Sequence, residues 1–384
     1  MASEFYQKLA RIRQDIHQNP EISEYEFNTT EFLKAYISEL GIDIIESNLR
    51  TGLIAEIGTG QPIIALRADI DALPIEEKNT FDYASKNGAM HACGHDFHQT
   101  SLLGAAEILK NQEMELSGTI RLIFQPAEEV ATGAYAVIEA GGLDGVSAII
   151  GYHNVPYLKP GQIGLKSKAI MAAVEKFKVT ITGISGHAAR PDFGVDTILT
   201  ITTIINNLQA IVSRTVSPFE PTVLSVTHIE AGSTWNVLPE SGYFEGTIRS
   251  FTPENRDHLR SYFTKIVENT ADQFGADIEI EWGSTPSVTY NDEVLTPLIF
   301  ENSKTFAEIL EAAPSTGGED FAAYQETVPG VFALIGANGD DNAPDLHHDT
   351  FVVKDEALPT AVQYYVESAK YLLGYFSDNK NNDR

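Results

Sequence analysis

Eight consecutive residues, His91-Ala92-Cys93-Gly94-His95-Asp96-Phe97-His98, hold three imidazoles and the only cysteine of a chain with ten histidines altogether. A thiolate beside imidazoles suits zinc or a neighbouring first-row transition metal. In an extended stretch alternate side chains share a face. The pattern therefore predicts that His91, Cys93 and His95 point the same way, with Gly94 letting the backbone turn tightly around an ion. One histidine or one cysteine alone would read as core packing. The density of ligating types here favours a metal.

More residues of the same chemistry follow strand-like runs elsewhere. The run ending at Leu66 leads into Arg67-Ala68-Asp69-Ile70-Asp71. That ending at Phe124 leads into Gln125-Pro126-Ala127-Glu128-Glu129, and that ending at Gly151 into Tyr152-His153. A later loop, after the strand at Val331, carries Leu346-His347-His348-Asp349. Singly, these read as a solvated acidic pair, a satisfied core histidine and a surface loop. In an open parallel sheet the carboxyl ends of the strands form the ligand-binding edge, so together they are expected to converge on Cys93 and His95.

The elements that must position them read as an α/β domain interrupted by a smaller one. Helical spacing runs over 3–18 and 24–40, with short buried strands at 54–57 and 62–66. Strands at 120–124 and 147–151 alternate with helices at 100–109 and 131–140, which predicts a mostly parallel sheet covered by helices. After Ala172 the order becomes strand 174–182, helix 195–214, strands 222–229 and 242–251, helix 254–274 and strand 277–282. This β-α-β-β-α-β succession is the ferredoxin-like order. A helix over 294–310, a strand over 331–335 and a helix over 358–375 then return to the first domain, and 378–384 reads as a frayed polar tail. The expected domains are 1–172, 173–287 and 288–384, the first and last forming one catalytic unit.

With 384 residues, 43% hydrophobic and 21% charged, the chain can build two real cores. One cysteine excludes an internal disulfide. No apolar run approaches a membrane span, and the first residues lack a secretory core, so a cytoplasmic protein is expected. A formal net charge of -28 repels phosphate backbones and anionic lipids, which argues against nucleic-acid and membrane partners.

Five motifs, taken together, resemble those of a known family. They are Met90-His91-Ala92-Cys93-Gly94-His95-Asp96, Arg67-Ala68-Asp69-Ile70-Asp71-Ala72-Leu73-Pro74, Phe124-Gln125-Pro126-Ala127-Glu128-Glu129, Gly317-Gly318-Glu319-Asp320-Phe321 and Leu346-His347-His348. The family comprises metal-dependent amidohydrolases such as hippurate hydrolase, plant auxin-conjugate hydrolases and bacterial N-acetyldiaminopimelate deacetylase, a branch of the aminoacylase and carboxypeptidase superfamily. The resemblance covers nearly the whole chain, in order. It implies a zinc-peptidase-like catalytic domain, an inserted ferredoxin-like α+β lid and dimerisation domain, and two divalent ions drawn from manganese, zinc, cobalt or nickel. Metal ligands are implied at Cys93, His95, Glu129, His153 and His347, with Glu128 as the catalytic carboxylate.

In the insert the resemblance implies that His187 stabilises the oxyanion, typically in the partner subunit's site, and that Asn236 and Arg249 bind substrate. Oxyanion donors aimed in advance are worth about 3 kcal/mol each. A planar guanidinium can grip a substrate carboxylate with two hydrogen bonds. Taken alone, His187 reads as a surface histidine and Arg249 equally as an ion pair at a strand edge. Most branches of the superfamily carry His-x-Asp where this chain has Asp69-Ile70-Asp71, and a bridging Asp where it has Cys93; both changes are normal for the hippurate-hydrolase branch. Asp71 is expected to orient a ligand from behind, and Asp69 receives no role.

The favoured function is hydrolysis of the amide bond of N-acyl amino acids by a homodimer or homotetramer. N-acetyldiaminopimelate deacetylase or a broader aminoacylase leads, and hippurate or indole-acetyl-amino acid hydrolase is the alternative. Readings of other classes are a hydrolase with Cys93 as nucleophile and a non-catalytic metal-binding protein; an intact Glu128 argues against the latter.

Overall fold

The central strands carry apolar side chains on both faces, and both faces are covered. In the computed structural model, which describes residues 2–283 and 285–382, Ile63–Asp69, Thr119–Gln125 and Gly330–Gly336 are buried along almost their whole length. Such runs belong in a parallel sheet between helices. Eight strands form it, in the order Asp43–Ile45, Leu53–Gly58, Thr119–Gln125, Ile63–Asp69, Val146–Val155, Gly330–Gly336, Gln162–Leu165, Glu308–Glu311. The middle four are mutually parallel, while antiparallel pairings flank them, so the sheet is mixed with a parallel centre. Helices Ala2–Gln18, His95–Asn111 and Leu358–Asn382 share one core with it. They meet at Gly104, where a Cβ would lie 2.5 Å from Leu9 Cδ1 and 3.0 Å from Val362 Cγ2, so a larger residue would force those side chains to shift.

The chain divides into two compact units, one comprising Met1–Ile170, Tyr290–Ala313 and Asp320–Arg384, the other Met171–Thr289 and Pro314–Glu319. The last segment departs from the expected domains, which gave it to the catalytic unit. Within the second unit, helices Thr197–Ala210 and Pro253–Phe274 share a core with an antiparallel sheet ordered Val223–Ala231, Ser241–Ser250, Ala173–Thr182, Asp277–Trp282. Strand Ala173–Thr182 alternates buried with half-buried or exposed positions, as a sheet covered on one face must. Thr252 accepts a hydrogen bond from Asn255 N–H at the start of the second helix, and Gly275 ends it at φ 69.

Three expectations change. The helix expected over 294–310 stops at Ser303, and Glu308–Glu311 becomes an edge strand beside Gln162–Leu165. The tail expected to fray from 378 continues the last helix to Asn382, residues 383–384 lying outside the described ones. The strands expected to end at Leu66 and Gly151 run on to Asp69 and Val155, because parallel neighbours pair with them that far. No helix among the described residues is long and apolar enough to cross a membrane.

Candidate metal centre and active site

Cys93 reaches the carboxyl edge of the parallel strands through a loop closed by the mutual backbone hydrogen bonds of Leu73 and Met90. His347 N–H donates to the Ala92 carbonyl at 2.9 Å, tying the late loop to the same place. Gly94, at φ 86, turns the chain into helix His95–Asn111, so His95 is its first residue. A Cβ at position 94 would sit 2.3 Å from Asn154 Nδ2 and strain the left-handed backbone, so any other residue there would have to displace that amide.

The five expected ligands meet. Cys93 Sγ lies 3.3 Å from His153 Nε2 and 3.2 Å from His347 Nε2. Glu129 Oε1 lies 3.5 Å from His347 Nε2 and 4.0 Å from His95 Nε2. Ligand atoms of Cys93, His95 and His153, of Cys93, Glu129 and His347, and of His95, Glu128 and Glu129 fall within 4.8 Å of one another in each group. His95 Nε2 is buried and has no hydrogen-bond partner among the described residues. A buried imidazole nitrogen aimed among a sulfur and carboxylates is destabilising unless something binds it, so these residues fit divalent cations.

The surrounding side chains fix this geometry. Asp71 Oδ2 accepts hydrogen bonds from Glu129 N–H at 3.0 Å and Ser23 Oγ at 2.7 Å, while His95 Nδ1 sits 2.9 Å from the Asp71 carbonyl and 3.2 Å from Oδ1. The loop carrying Glu128 and Glu129 is pinned at its start by Ala127 N–H donating to the buried Glu26 carboxylate. A Cβ at Gly133 would overlap the Pro126 carbonyl, 1.6 Å away, so the loop closes on itself only with glycine there. Arg67, fully buried, donates to Asp69 at 2.8 Å, to Asp320 at 2.9 Å and to Gln125 at 2.7 Å. Its charge is thus matched by two carboxylates, and removing Arg67 would leave both buried without their shared cation, a loss of about 3–5 kcal/mol.

His91 does not join the cluster. The chain turns at Gly94 instead of staying extended, and the His91 ring packs 6.4 Å from that of His17, buried and with no hydrogen bond at either nitrogen among the described residues. Sequence reasoning also passed over His98 and Asn154. The first lies one helical turn beyond His95 and the second immediately follows His153, so their positions were the available signal.

The cluster's electrostatics draw cations. Burial pushes the Cys93 thiol well above its usual range, and Glu129, Glu128 and Asp69 push the same way. Burial alone would lower His95, but Asp69, Asp71 and Glu129 raise it to about 10. Glu129 is pushed up to about 7 by burial, opposed by His95 and reinforced by Asp71. A cysteine nucleophile needs the opposite, a thiol lowered by nearby positive charge, so burial and the surrounding carboxylates disfavour Cys93 in that role.

In the second unit, His187 pairs in register with Val237, and the Asn236 carbonyl accepts Ala188 N–H at 3.0 Å, which brings the His187 and Asn236 segments side by side. The His187 side chain is exposed, its Nδ1 accepting Ala189 N–H. Arg249 lies in Ser241–Ser250, an interior strand and not an edge. Its buried NH1 has no hydrogen-bond partner among the described residues, as suits a guanidinium available to an anion.

A helix-covered sheet with ligating side chains gathered where its parallel strands end defines a zinc-peptidase-like metal enzyme. Residues 65–371 match the family described as Peptidase family M20/M25/M40, and the chain belongs to that family. It is 46% identical over 380 residues to N-acetyl-L-cysteine deacetylase of Bacillus subtilis (strain 168), an alignment spanning 98% of this chain and 91% of that protein. It is 36% identical over 392 residues to IAA-amino acid hydrolase ILR1-like 5 of Arabidopsis thaliana, spanning 99% and 90%. Among solved structures, a Bacillus subtilis protein described as a dinuclear metal-binding peptidase of the M20 family superposes with a TM-score of 0.86 at 40% identity, over 97% of this chain and 99% of that one.

Proposed function

We propose that this protein is a metal-dependent amidohydrolase that cleaves the amide bond of N-acyl amino acids, N-acetyl derivatives first, releasing a carboxylic acid and a free amino acid. The observation that carries this is the meeting of Cys93, His95, Glu129, His153 and His347 beside Glu128 at the carboxyl edge of the parallel strands. Those five residues would hold two divalent ions, manganese, zinc, cobalt or nickel. Held there, such ions would supply the Lewis acidity that polarises the scissile carbonyl and lowers the pKa of water towards neutral.

Glu128 takes the proton from the attacking water and passes it to the departing amine, as a general base that becomes a general acid. Asp71 holds Glu129 by its backbone N–H, which commits Glu129 to the cluster and leaves the proton work to its neighbour. His187 donates to the developing oxyanion, and Arg249 and Asn236 grip the substrate's carboxylate end. The inserted unit serves as lid and dimerisation domain of a cytoplasmic homodimer or homotetramer. Its strand Val223–Ala231 is paired on one side only, which leaves an edge for a two-fold contact.

The test is a panel of N-acetylcysteine, N-acetyldiaminopimelate, hippurate and indole-acetyl amino acids, assayed with zinc- and manganese-loaded protein and after chelation. Cleavage of at least one N-acetyl substrate, lost on chelation and restored by metal, is expected. Cleavage that survives chelation would refute it.

A further inference from the structure

Asn154 follows the proposed ligand His153, and its backbone N–H donates to His98 Nε2 at 3.0 Å. A backbone N–H can only donate, so Nε2 carries no proton and the ring hydrogen sits on Nδ1, 2.6 Å from Asp69 Oδ1. The Asn154 side-chain amide uses one hydrogen on the same Nε2 at 2.9 Å and the other on the Cys93 carbonyl at 2.6 Å. Moving the ring proton to Nε2 would set it against two donors. Flipping the amide would press its oxygen against the Cys93 carbonyl. Ring tautomer and amide orientation therefore fix each other.

All three residues are fully buried, and Asp69 is itself held by Arg67. The Asn154 amide fills the space beside Gly94 that a side chain would need. We propose that Asp69, His98 and Asn154 form a positioning triad that sets the spacing of Cys93 and His153. Asp69 selects the His98 tautomer, His98 orients Asn154, and Asn154 ties the Cys93 backbone to the strand that carries His153. Partners that orient ligands from behind are worth roughly 10- to 100-fold in metal affinity. The inference rests on reading Cys93 and His153 as ligands.

The experiment uses the full-length protein with 15N-labelled histidine, free of metal and near neutral pH. The His98 ring, assigned by its loss in His98→Gln, is expected as the neutral Nδ1–H tautomer; an Nε2–H ring overturns the proposal. Zinc affinity, measured by competition with a chelator, is expected to fall roughly 10- to 100-fold in His98→Leu. It should recover in part in His98→Gln, which keeps a donor for Asp69 and an acceptor for Asn154. Unchanged affinity in folded His98→Leu also overturns it, and if that variant does not fold, the wild-type tautomer decides. A protein that cleaves no acyl amino acid would refute the proposed function and leave the tautomer standing. The wrong tautomer would refute the triad and leave hydrolysis standing.

Discussion

His95 turns Nδ1 onto Asp71, 2.9 Å from the backbone carbonyl and 3.2 Å from Oδ1, and thereby presents Nε2 to the cluster. Two acceptors hold the Nδ1 proton, so Nε2 is the only atom through which this ring can ligate. In the metal-free protein at neutral pH, His95, raised to about 10, also carries a proton on Nε2, and Cys93 is a thiol. Metal loading must displace both. Zinc binding near neutral pH is therefore expected to release about two protons, with Glu129 adding a fraction. Calorimetric titrations in buffers of different ionisation enthalpy count them, and release of none would contradict the assigned ligands.

The thiol offers a separate check. As a ligand, Cys93 should resist alkylation in metal-loaded protein and react after chelation, slowly, because burial holds it protonated. Equal rates with and without metal, in protein that remains folded, would remove Cys93 from the ligand set.

A second buried network makes stability depend on pH. Burial would lower His17, but Asp96, 2.9 Å from Nδ1, and Glu77, 3.1 Å from Nε2, raise it to about 9, with Arg13 opposing. A folded-state pKa raised above the ordinary 6.5 gives stability that is fully present below about pH 6.5 and is lost as pH climbs through about 9. The shift corresponds to about 3 kcal/mol at most. Denaturant titrations should show wild type weakening over that window more than His17→Gln. Parallel pH profiles for the two proteins would refute it.

The residues that build the centre were legible because ligating types stand where apolar runs stop, an arrangement visible along the chain. What was not legible depended on distant partners. Arg67 and Asp69 look like the end of a strand, yet they continue it, because Asp320, 253 residues away, helps neutralise Arg67 in the interior. His91 looked like a third ligand because an extended backbone was assumed. Gly94 takes a left-handed turn instead and packs against Asn154, a contact no local pattern encodes. Glu308–Glu311 read as helix because its partner strand, Gln162–Leu165, lies far earlier in the chain.

The central claim is that Glu128 moves the proton while Glu129 holds metal. Steady-state turnover and bound metal should be measured together on Glu128→Gln and Glu129→Gln, with the N-acetyl substrate that wild type cleaves best. Glu128→Gln is expected to keep its metal and lose turnover by at least ~10²-fold, the usual scale of general acid–base catalysis, while Glu129→Gln loses both. Near-wild-type turnover in metal-replete Glu128→Gln would contradict the account.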